Sequence, residues 1–155
     1  MIHLEMSTLI YQPLAQVFNF VSTPENDYQW QYGTLATSRL SASAIKIGTF
    51  FRSVGHLLGR RNVSTFEVTA YELNRAFGFK SLSGPLHLWS AYTFAMTAAG
   101  TRITVSTRAQ VVNFKYMDED ILEYKIKKQL KENLRMLKDL LEEQVFSFEA
   151  YPVAG

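Results

Sequence analysis

The sequence predicts an α+β fold, in which an antiparallel sheet of about seven strands is covered by one long C-terminal helix and two short helices follow the first strand. Two patterns predict it. Between residues 34 and 112, apolar residues recur at every second position in several segments, which is typical of strands with one buried face. From residue 118 the apolar spacing becomes three and four, which is typical of an amphipathic helix. Because the sequence contains no second helix of similar length, the sheet must be the partner of this helix.

The composition indicates the class of protein. The chain has 155 residues, of which 47% are hydrophobic and 19% are charged. This balance predicts one folded domain over residues 1–155 and excludes a disordered chain. No apolar run reaches the roughly 18 residues that cross a bilayer, so we expect no membrane insertion. The N-terminus lacks the basic start and the uninterrupted apolar stretch of a signal peptide, so we expect a cytoplasmic location.

Residue content also excludes several kinds of site. The chain has no cysteine, which excludes disulfides, thiolate metal sites and cysteine nucleophiles. Its 16 basic and 14 acidic residues give a net charge of +2, which is too balanced for a nucleic-acid-binding surface. The 3 histidines have no carboxylate at ligand spacing, and no glycine-rich nucleotide loop is present. We therefore expect neither a metal site nor a cofactor.

The first elements are a strand and two short helices. Ile2–Tyr11 is rich in β-branched and apolar residues without helical spacing, which predicts a strand. Apolar residues at helical spacing predict a short amphipathic helix over Pro13–Ser22. Thr23 is the predicted N-cap of a second brief helix, and Glu25 and Asp27 are acidic residues of its first turn, where they suit the helix dipole.

Six strands follow, separated by turns that are short enough for hairpins. Their predicted bounds are Thr34–Ala42, Thr49–Leu58, Asn62–Glu72, Ala76–Ser83, Leu86–Thr97 and Thr101–Val112. Alternation is clearest in the last two strands, where Tyr92 and Phe94 share one face and Ile103 and Val105 share another. Consecutive hairpins of this kind form an antiparallel sheet with one apolar face, which another element must shield from water.

The cover is a predicted helix over Asp118–Val145. Three acidic residues at its start suit the helix dipole. At about 1.5 Å per residue, its roughly 28 residues are on the order of 40 Å long, comparable with the diameter of the whole domain. Its apolar stripe consists of Leu122, Ile126, Leu130, Leu134, Leu137, Leu141 and Val145.

Short motifs spread over nearly the whole chain carry a family resemblance. They are Pro13 with Val17-Phe18 and Trp30, then Ile47-Gly48-Thr49-Phe50-Phe51, then Phe66-Glu67-Val68-Thr69-Ala70-Tyr71-Glu72 with Arg75-Ala76-Phe77, then Tyr92-Thr93-Phe94 with Gly100-Thr101-Arg102-Ile103-Thr104. In this order they resemble the START/Bet v 1-like (SRPBCC, helix-grip) superfamily, in particular its polyketide cyclase/dehydrase and lipid-transport branch. The resemblance implies a sheet curved around the long helix, with a cavity between them that is open at one end.

The implied cavity makes inward-facing aromatic residues candidates for ligand binding. Aromatic residues form 14% of the chain, enough to give such a cavity apolar walls. For any single aromatic residue, plain packing in the core is the alternative. The candidates are Trp30 at one end of the cavity, Phe51, Phe66, Phe77, Phe79, Tyr92 and Phe94 on the strands, and Leu137 on the helix.

Two amides, Gln129 and Asn133, complete the candidate ligand-binding residues. At about 100° per residue they project from the same side of the helix as its apolar stripe. One interpretation is that they face the cavity and form hydrogen bonds with a polar group of the ligand. The other is that they pair with sheet backbone or with buried water, as buried amides usually do.

No residue is assigned a catalytic role. His56 and His87 fall opposite the aromatic positions of their strands, so we expect them to be exposed. Arg39, Arg52 and Arg108 lie on strands, where an inward arginine would bind a carboxylate or enolate oxygen. For each of them, a charge on the wet face of the sheet is the favoured interpretation.

Three functions remain open after these observations. The leading hypothesis is a domain that binds a small hydrophobic or aromatic molecule, lipid-like or polyketide-like, in the cavity. The first alternative is an enzyme of the polyketide cyclase/dehydratase type, which requires a titratable side chain in the same cavity. The second is a protein-interaction module, similar to the chaperone-cofactor branch of the superfamily.

The tail from about residue 146 onward is rich in aromatic residues. It has three interpretations: a disordered terminus, a cap on the cavity, or a segment that docks on a second subunit and so makes a homodimer. Docking is favoured, because clustered apolar side chains rarely stay exposed without a role.

Overall fold

A computed structural model of the protein describes residues 1–57, 59–84, 86–112 and 118–150, and the side chains of these residues except 57 and 144–150. Within these ranges the structure has seven strands, two α-helices and one 3₁₀ helix. The elements in chain order are β1 (Ile2–Ile10), α1 (Leu14–Val21), the 3₁₀ helix (Pro24–Gln29), β2 (Thr34–Arg39), β3 (Phe50–Leu57), β4 (Arg60–Glu72), β5 (Ala76–Ser81), β6 (Leu86–Met96), β7 (Thr101–Val111) and α2 (Glu119–Ala150).

The seven strands form one antiparallel sheet, which confirms the predicted fold class. Their order is β1-β7-β6-β5-β4-β3-β2, so β2 to β7 form a meander and β1 pairs with the last strand. The predicted alternation holds in β7, where Ile103 and Val105 are buried and Arg102 is exposed. The cross-strand pair Phe94 and Ile103 places the buried faces of β6 and β7 on the same side of the sheet.

The ends of the predicted elements differ from the structure by a few residues. The second short helix is a 3₁₀ helix, and Thr23 does not cap it with its side chain. The Thr23 hydroxyl instead donates a hydrogen bond of 2.7 Å to the carbonyl oxygen of Asn19 in the preceding helix. This alternative bond is common for threonine next to a helix end and removes the predicted cap. The long helix continues to Ala150, past its predicted end at Val145.

The long helix α2 packs against the sheet through two separate hydrophobic clusters. Near its start, Leu122 packs with Ile2 of β1. Towards its other end, Leu134, Leu137 and Leu141 join the main core, which also contains α1 and the middle strands. Burial of a leucine contributes about 1.5–3 kcal/mol to folding, so each cluster fixes the helix firmly.

A polar contact supports the second cluster. The Lys138 Nζ donates hydrogen bonds to the carbonyl oxygen of Leu9 at 2.6 Å and to the Glu142 carboxylate at 2.7 Å. The same carboxylate accepts a bond of 3.0 Å from the backbone N–H of Tyr11. Side chains of α2 therefore bind the backbone at the end of β1.

Two glycines allow the segment after the 3₁₀ helix to lie directly against β3. The His56 N–H donates a hydrogen bond of 2.7 Å to the carbonyl oxygen of Gly33. Gly33 has a φ of 84°, and a Cβ there would lie 2.6 Å from the His56 carbonyl oxygen. A Cβ on Gly55 would overlap the Gly33 carbonyl oxygen. Only glycine permits this close approach of two backbones.

Gly55→Ala therefore has a larger expected effect than an alanine at an uncrowded glycine. The methyl group would push against backbone, which cannot rotate away, so we expect a loss of about 3 kcal/mol in the free energy of unfolding. The matched control is Gly48→Ala, because Gly48 has a φ of 90° but no atom within 4 Å of an added Cβ. The control should lose only about 1 kcal/mol, from the left-handed conformation. Equal losses in urea denaturation would contradict the expected clash.

Candidate functional site

A pocket of about 190 Å³ lies between the middle of α2 and the sheet, partly open to solvent. It occupies the stretch of helix between the two hydrophobic clusters, where Ile126, Leu130 and Asn133 face the strands. The opposite wall is formed by residues of β3, β4, β5, β6 and β7. The candidate site is thus the space that the helix leaves open where it does not touch the sheet.

One wall of the pocket is aromatic. The rings of Phe51 and Phe66 are stacked with their centroids 5.5 Å apart, and Phe79 meets both rings edge to face. The Tyr92 ring lies 6.4 Å from that of Phe79. These distances are typical of favourable aromatic pairs, so the wall holds its shape without a ligand.

The rest of the sheet wall combines Leu86 and Leu88 of β6 with small hydroxyl side chains, which no sequence pattern predicted. Each of the serines lies two residues from a larger lining residue on the same strand face, and that spacing is the signal that would have found them. Two of the hydroxyl residues are cross-strand partners: Ser90 and Thr107 share a hydrogen bond of 3.0 Å. The small lining residues are Ser53, Ser64, Ser81, Ser90 and Thr107.

Six of the ten candidate binding residues line the pocket, and four do not. Those in the wall are Phe51, Phe66, Phe79, Tyr92, Gln129 and Asn133. Phe94 lies elsewhere because its ring packs at 5.2 Å against Phe18 of α1, which covers that end of the sheet. Phe77 and Leu137 belong to the same buried core. Trp30 is buried beside the pocket, with its ring 6.0 Å from that of Tyr92.

The two amides of α2 hold a neighbouring loop by its backbone. Asn133 Oδ1 accepts a hydrogen bond of 2.8 Å from the N–H of Tyr32, and Gln129 Nε2 donates one of 3.2 Å to the Tyr32 carbonyl oxygen. The partner is thus backbone, as one of the two interpretations expected, but it belongs to a loop and not to the sheet. We call residues 31–34 the strap, because they separate the pocket from an open groove of about 270 Å³ on their other side.

Asp27 places a carboxyl group in the pocket wall. The 3₁₀ helix carries it, and its carboxylate makes no hydrogen bond to any residue that the structure describes. Burial raises the pKa of Asp27 well above its usual range, and the nearby negative charge of Glu25 adds to the increase. Asp27 lies in the first turn of this helix, as the sequence pattern predicts, and its side chain also lines the pocket.

A bidentate ion pair fixes the 3₁₀ helix that carries Asp27. Arg39 Nε and Nη2 bind the two carboxylate oxygens of Glu25 at 2.9 and 3.0 Å, which joins the helix to β2. The hydrogen bond from Arg39 lowers the pKa of Glu25, so this carboxylate stays ionised at neutral pH. Arg39, predicted to be a surface charge, is instead partly buried in this pair.

Tyr92 is the second polar group at this part of the wall. Its hydroxyl makes no hydrogen bond within the described part of the chain. Burial raises the pKa of Tyr92, and the charge of Asp27 raises it further. Trp30 contacts both residues, because its backbone N–H donates a hydrogen bond of 3.2 Å to the Asp27 carbonyl oxygen and its ring lies 6.0 Å from the Tyr92 ring. Both groups therefore offer a hydrogen bond to a molecule in the pocket.

The other residues weighed for catalysis lie outside the pocket or at its rim. His56 is exposed at the rim, and His87 is exposed on β6. Arg52 and Arg108 are also exposed. Among the described residues, no group of three or more histidines and carboxylates is arranged to hold a metal ion. None of their helices is long and apolar enough to span a bilayer.

Comparison with known families identifies the group to which the chain belongs. Residues 1–142 match the model described as polyketide cyclase / dehydrase and lipid transport. The chain belongs to this family. The resemblance seen in the sequence motifs is thereby confirmed. No curated protein matches this member of the family.

Solved structures share the fold of this polyketide cyclase / dehydrase and lipid-transport family member. A START superfamily protein from Mycobacterium smegmatis has a TM-score of 0.80 at 12% identity, over 93% of this chain and 99% of that chain. TTHA0849 from Thermus thermophilus has a TM-score of 0.72 at 17% identity, over 94% of this chain and 97% of that chain. The di-domain ARO/CYC BexL from the BE-7585A biosynthetic pathway has a TM-score of 0.73 at 14% identity, over 92% of this chain and 47% of BexL, about half its length.

Asp27→Asn tests the environment of the pocket carboxyl. Because folding raises the pKa of Asp27, the stability that its acid form provides is complete below the unfolded pKa and is lost as pH rises through the folded pKa. An amide carries no charge at any pH. We expect D27N to be about 1–3 kcal/mol more stable than the wild type at about pH 8, with the difference shrinking towards about pH 4. Urea denaturation at several pH values measures it.

Glu25→Gln is the control, because its effect on stability should depend on pH in the opposite direction. Arg39 lowers the pKa of Glu25, so the stability from this pair is present above the unfolded pKa and is lost as pH falls through the folded pKa. E25Q should therefore be less stable than the wild type at neutral pH and approach it in acid. Parallel pH profiles for D27N and E25Q would contradict the assigned environments.

Asn133→Leu tests the attachment of the strap. Leucine has a similar volume but cannot accept the Tyr32 N–H, so we expect the Tyr32 amide to exchange with deuterium about tenfold faster, as for the loss of one hydrogen bond. The amide of Ile103 in the core strand β7 is the internal control. If both amides accelerate equally, the substitution acts on global stability and the local role of Asn133 is wrong.

Proposed function

We propose that this protein binds a small hydrophobic or aromatic molecule, lipid-like or polyketide-like, in the pocket between α2 and the sheet. The observation that carries the proposal is the unfilled space between the two hydrophobic clusters, with stacked rings of Phe51 and Phe66 on one side. Native cores are packed to a density that leaves few such spaces. The family description, which includes lipid transport, supports the same class of ligand.

The size of the pocket favours a compact ligand. An apolar cavity of about 150 Å³ accepts benzene. A pocket of about 190 Å³ that is partly open therefore suits a ligand of one or two rings, or one end of a longer molecule. Apolar burial provides about 25 cal/mol per Å² of ligand surface removed from water, and the aromatic wall supplies the contact area.

An enzyme of the cyclase/dehydratase type is the second candidate function. It requires a titratable group in the pocket, and Asp27 supplies one whose pKa is raised, as is typical of general acids. A two-ring ketone, 1-tetralone, tests this candidate: an enzyme of this kind would accelerate deuterium exchange at its α-carbon, and D27N would not. Exchange at the uncatalysed rate would leave binding alone as the function.

A pocket-filling variant tests the binding proposal directly. Leu130 lines the pocket, so Leu130→Trp should fill it. This variant should weaken the binding of the uncharged fluorophore N-phenyl-1-naphthylamine, whose two-ring naphthyl end matches the pocket in size, by about tenfold or more. Leu140→Trp is the matched control, because Leu140 is a half-buried leucine on the same helix that packs against the core outside the pocket. Equal weakening by both variants, or no binding to the wild type, would refute the proposal.

Native mass spectrometry of the protein purified from its own cells addresses the identity of the ligand. A co-purifying small molecule that Leu130→Trp removes and Leu140→Trp retains would identify its chemical class. The same spectra report whether the protein is a homodimer. The tail segment for which docking was favoured, from residue 146, lies outside the described side chains.

A further inference from the structure

The polar groups of the pocket are unevenly distributed. The aromatic wall and the α2 residues Ile126 and Leu130 are apolar. The Ser90 hydroxyl is bonded to that of Thr107, and the Ser81 hydroxyl is bonded to the backbone of β6.

Asp27 and Tyr92 differ from these residues. Both line the pocket, and Trp30 contacts both: its backbone N–H donates a hydrogen bond of 3.2 Å to the Asp27 carbonyl oxygen, and its ring lies 6.0 Å from that of Tyr92. Neither Asp27 nor Tyr92 has a side-chain hydrogen-bond partner among the described residues. A ligand that displaces water from this part of the pocket must therefore supply the partner itself.

The charge of the pocket restricts what that partner can be. Among the residues that the structure describes, the lining includes the carboxyl of Asp27 and, at the rim, the imidazole of His56, but no lysine and no arginine. The Arg39 guanidinium, which lies on the neighbouring strand β2, is already bound at both carboxylate oxygens of Glu25. A ligand carboxylate beside Asp27 would thus be buried without a described cation to balance it. When Asp27 is ionised the two like charges repel each other, and when Asp27 is protonated its hydrogen bond alone does not replace the hydration that the ligand carboxylate loses.

An uncharged oxygen fits Asp27 and Tyr92 without this cost. A phenol or enol hydroxyl donates to a carboxylate oxygen of Asp27 and accepts from the Tyr92 hydroxyl. A ketone oxygen accepts from Tyr92, and also from Asp27 when the carboxyl is protonated. Burial of Asp27, which already disfavours its charge, strengthens the preference for an uncharged partner.

We propose that Asp27 and Tyr92 form the polar end of the pocket and select ligands with a phenol, enol or ketone oxygen against ligands with a carboxylate. This inference rests on the proposed function, because it requires that the pocket binds a ligand. It narrows the ligand class from hydrophobic molecules in general to uncharged hydroxylated or keto-bearing ring compounds. Free fatty acids, which bind through a carboxylate, are excluded.

Three probes of the same ring system test the selection on the full chain at neutral pH. They are 2-naphthol, 2-methylnaphthalene and 2-naphthoate, which present a hydroxyl, a methyl group and a carboxylate at the same position. Each is titrated against bound N-phenyl-1-naphthylamine, so that only binding in the same pocket is measured. We expect 2-naphthol to bind about tenfold tighter than 2-methylnaphthalene, as for one or two net hydrogen bonds, and at least tenfold tighter than 2-naphthoate.

Two variants assign the selection to its residues. Asp27→Asn keeps the shape, cannot ionise and offers an amide N–H to an anion, so it should reduce the preference for 2-naphthol over 2-naphthoate by at least about fivefold. Tyr92→Phe should weaken 2-naphthol and leave 2-methylnaphthalene unchanged. Tyr71→Phe is the matched control, because the Tyr71 ring packs against Phe18 and Phe77 in the core and does not line the pocket. All preferences should survive in this control.

The outcomes separate the inference from the function on which it rests. If no probe displaces the fluorophore and the fluorophore itself does not bind, the proposed function is wrong. If the probes bind with equal affinity, or 2-naphthoate binds tightest, the pocket binds ligands but the selection by Asp27 and Tyr92 is wrong. The selection is also refuted if D27N and Y92F keep the wild-type preferences.

Discussion

The structure depends on the way one long helix packs against a curved sheet. At about 1.5 Å per residue, the 32 residues of α2 extend over about 48 Å, and a helix of that length cannot follow a curved surface throughout. It touches the sheet through Leu122 at one end and through Leu134, Leu137 and Leu141 towards the other. The two clusters fix the distance between the helix and the strands. The pocket lies where this distance is too large for the side chains to fill.

Side-chain size then determines whether the space stays open. Where the sheet faces the middle of α2, several inward positions carry serine or threonine, and a larger side chain there would fill part of the pocket. Their hydroxyls have partners within the protein: Ser90 and Thr107 share a bond of 3.0 Å, and Ser53 accepts a bond of 3.2 Å from Thr37. Paired hydroxyls lose little when they leave bulk water, so these small polar residues cost the fold little. The same residues leave room for an apolar molecule against the rings opposite.

Hydrophobic periodicity predicts which segments form helices or strands and which of their faces are buried. It does not predict how far apart two packed elements lie. The alternation of Tyr92 and Phe94 predicted strand β6 and its inward face, and both residues are buried. Yet only Tyr92 lines the pocket, since Phe94 lies two residues further along and packs under α1 at Phe18. Alternation contains no information on where a covering helix ends. The serines were missed for a related reason: a small polar residue at an inward position interrupts an apolar pattern, although it is what forms a cavity.

Glu25 and Asp27 show how two similar residues acquire different roles through geometry. Both lie in the first turn of the 3₁₀ helix, as the sequence predicts, where Glu25 binds Arg39 and Asp27 lines the pocket. Their pKa values shift in opposite directions, since one carboxylate gains an arginine and the other loses water. The ion pair of Glu25 stabilises the fold, whereas the charge of Asp27 opposes it. An asparagine would serve the fold better at position 27, so stability does not explain the carboxyl, whereas the proposed contact with a ligand would.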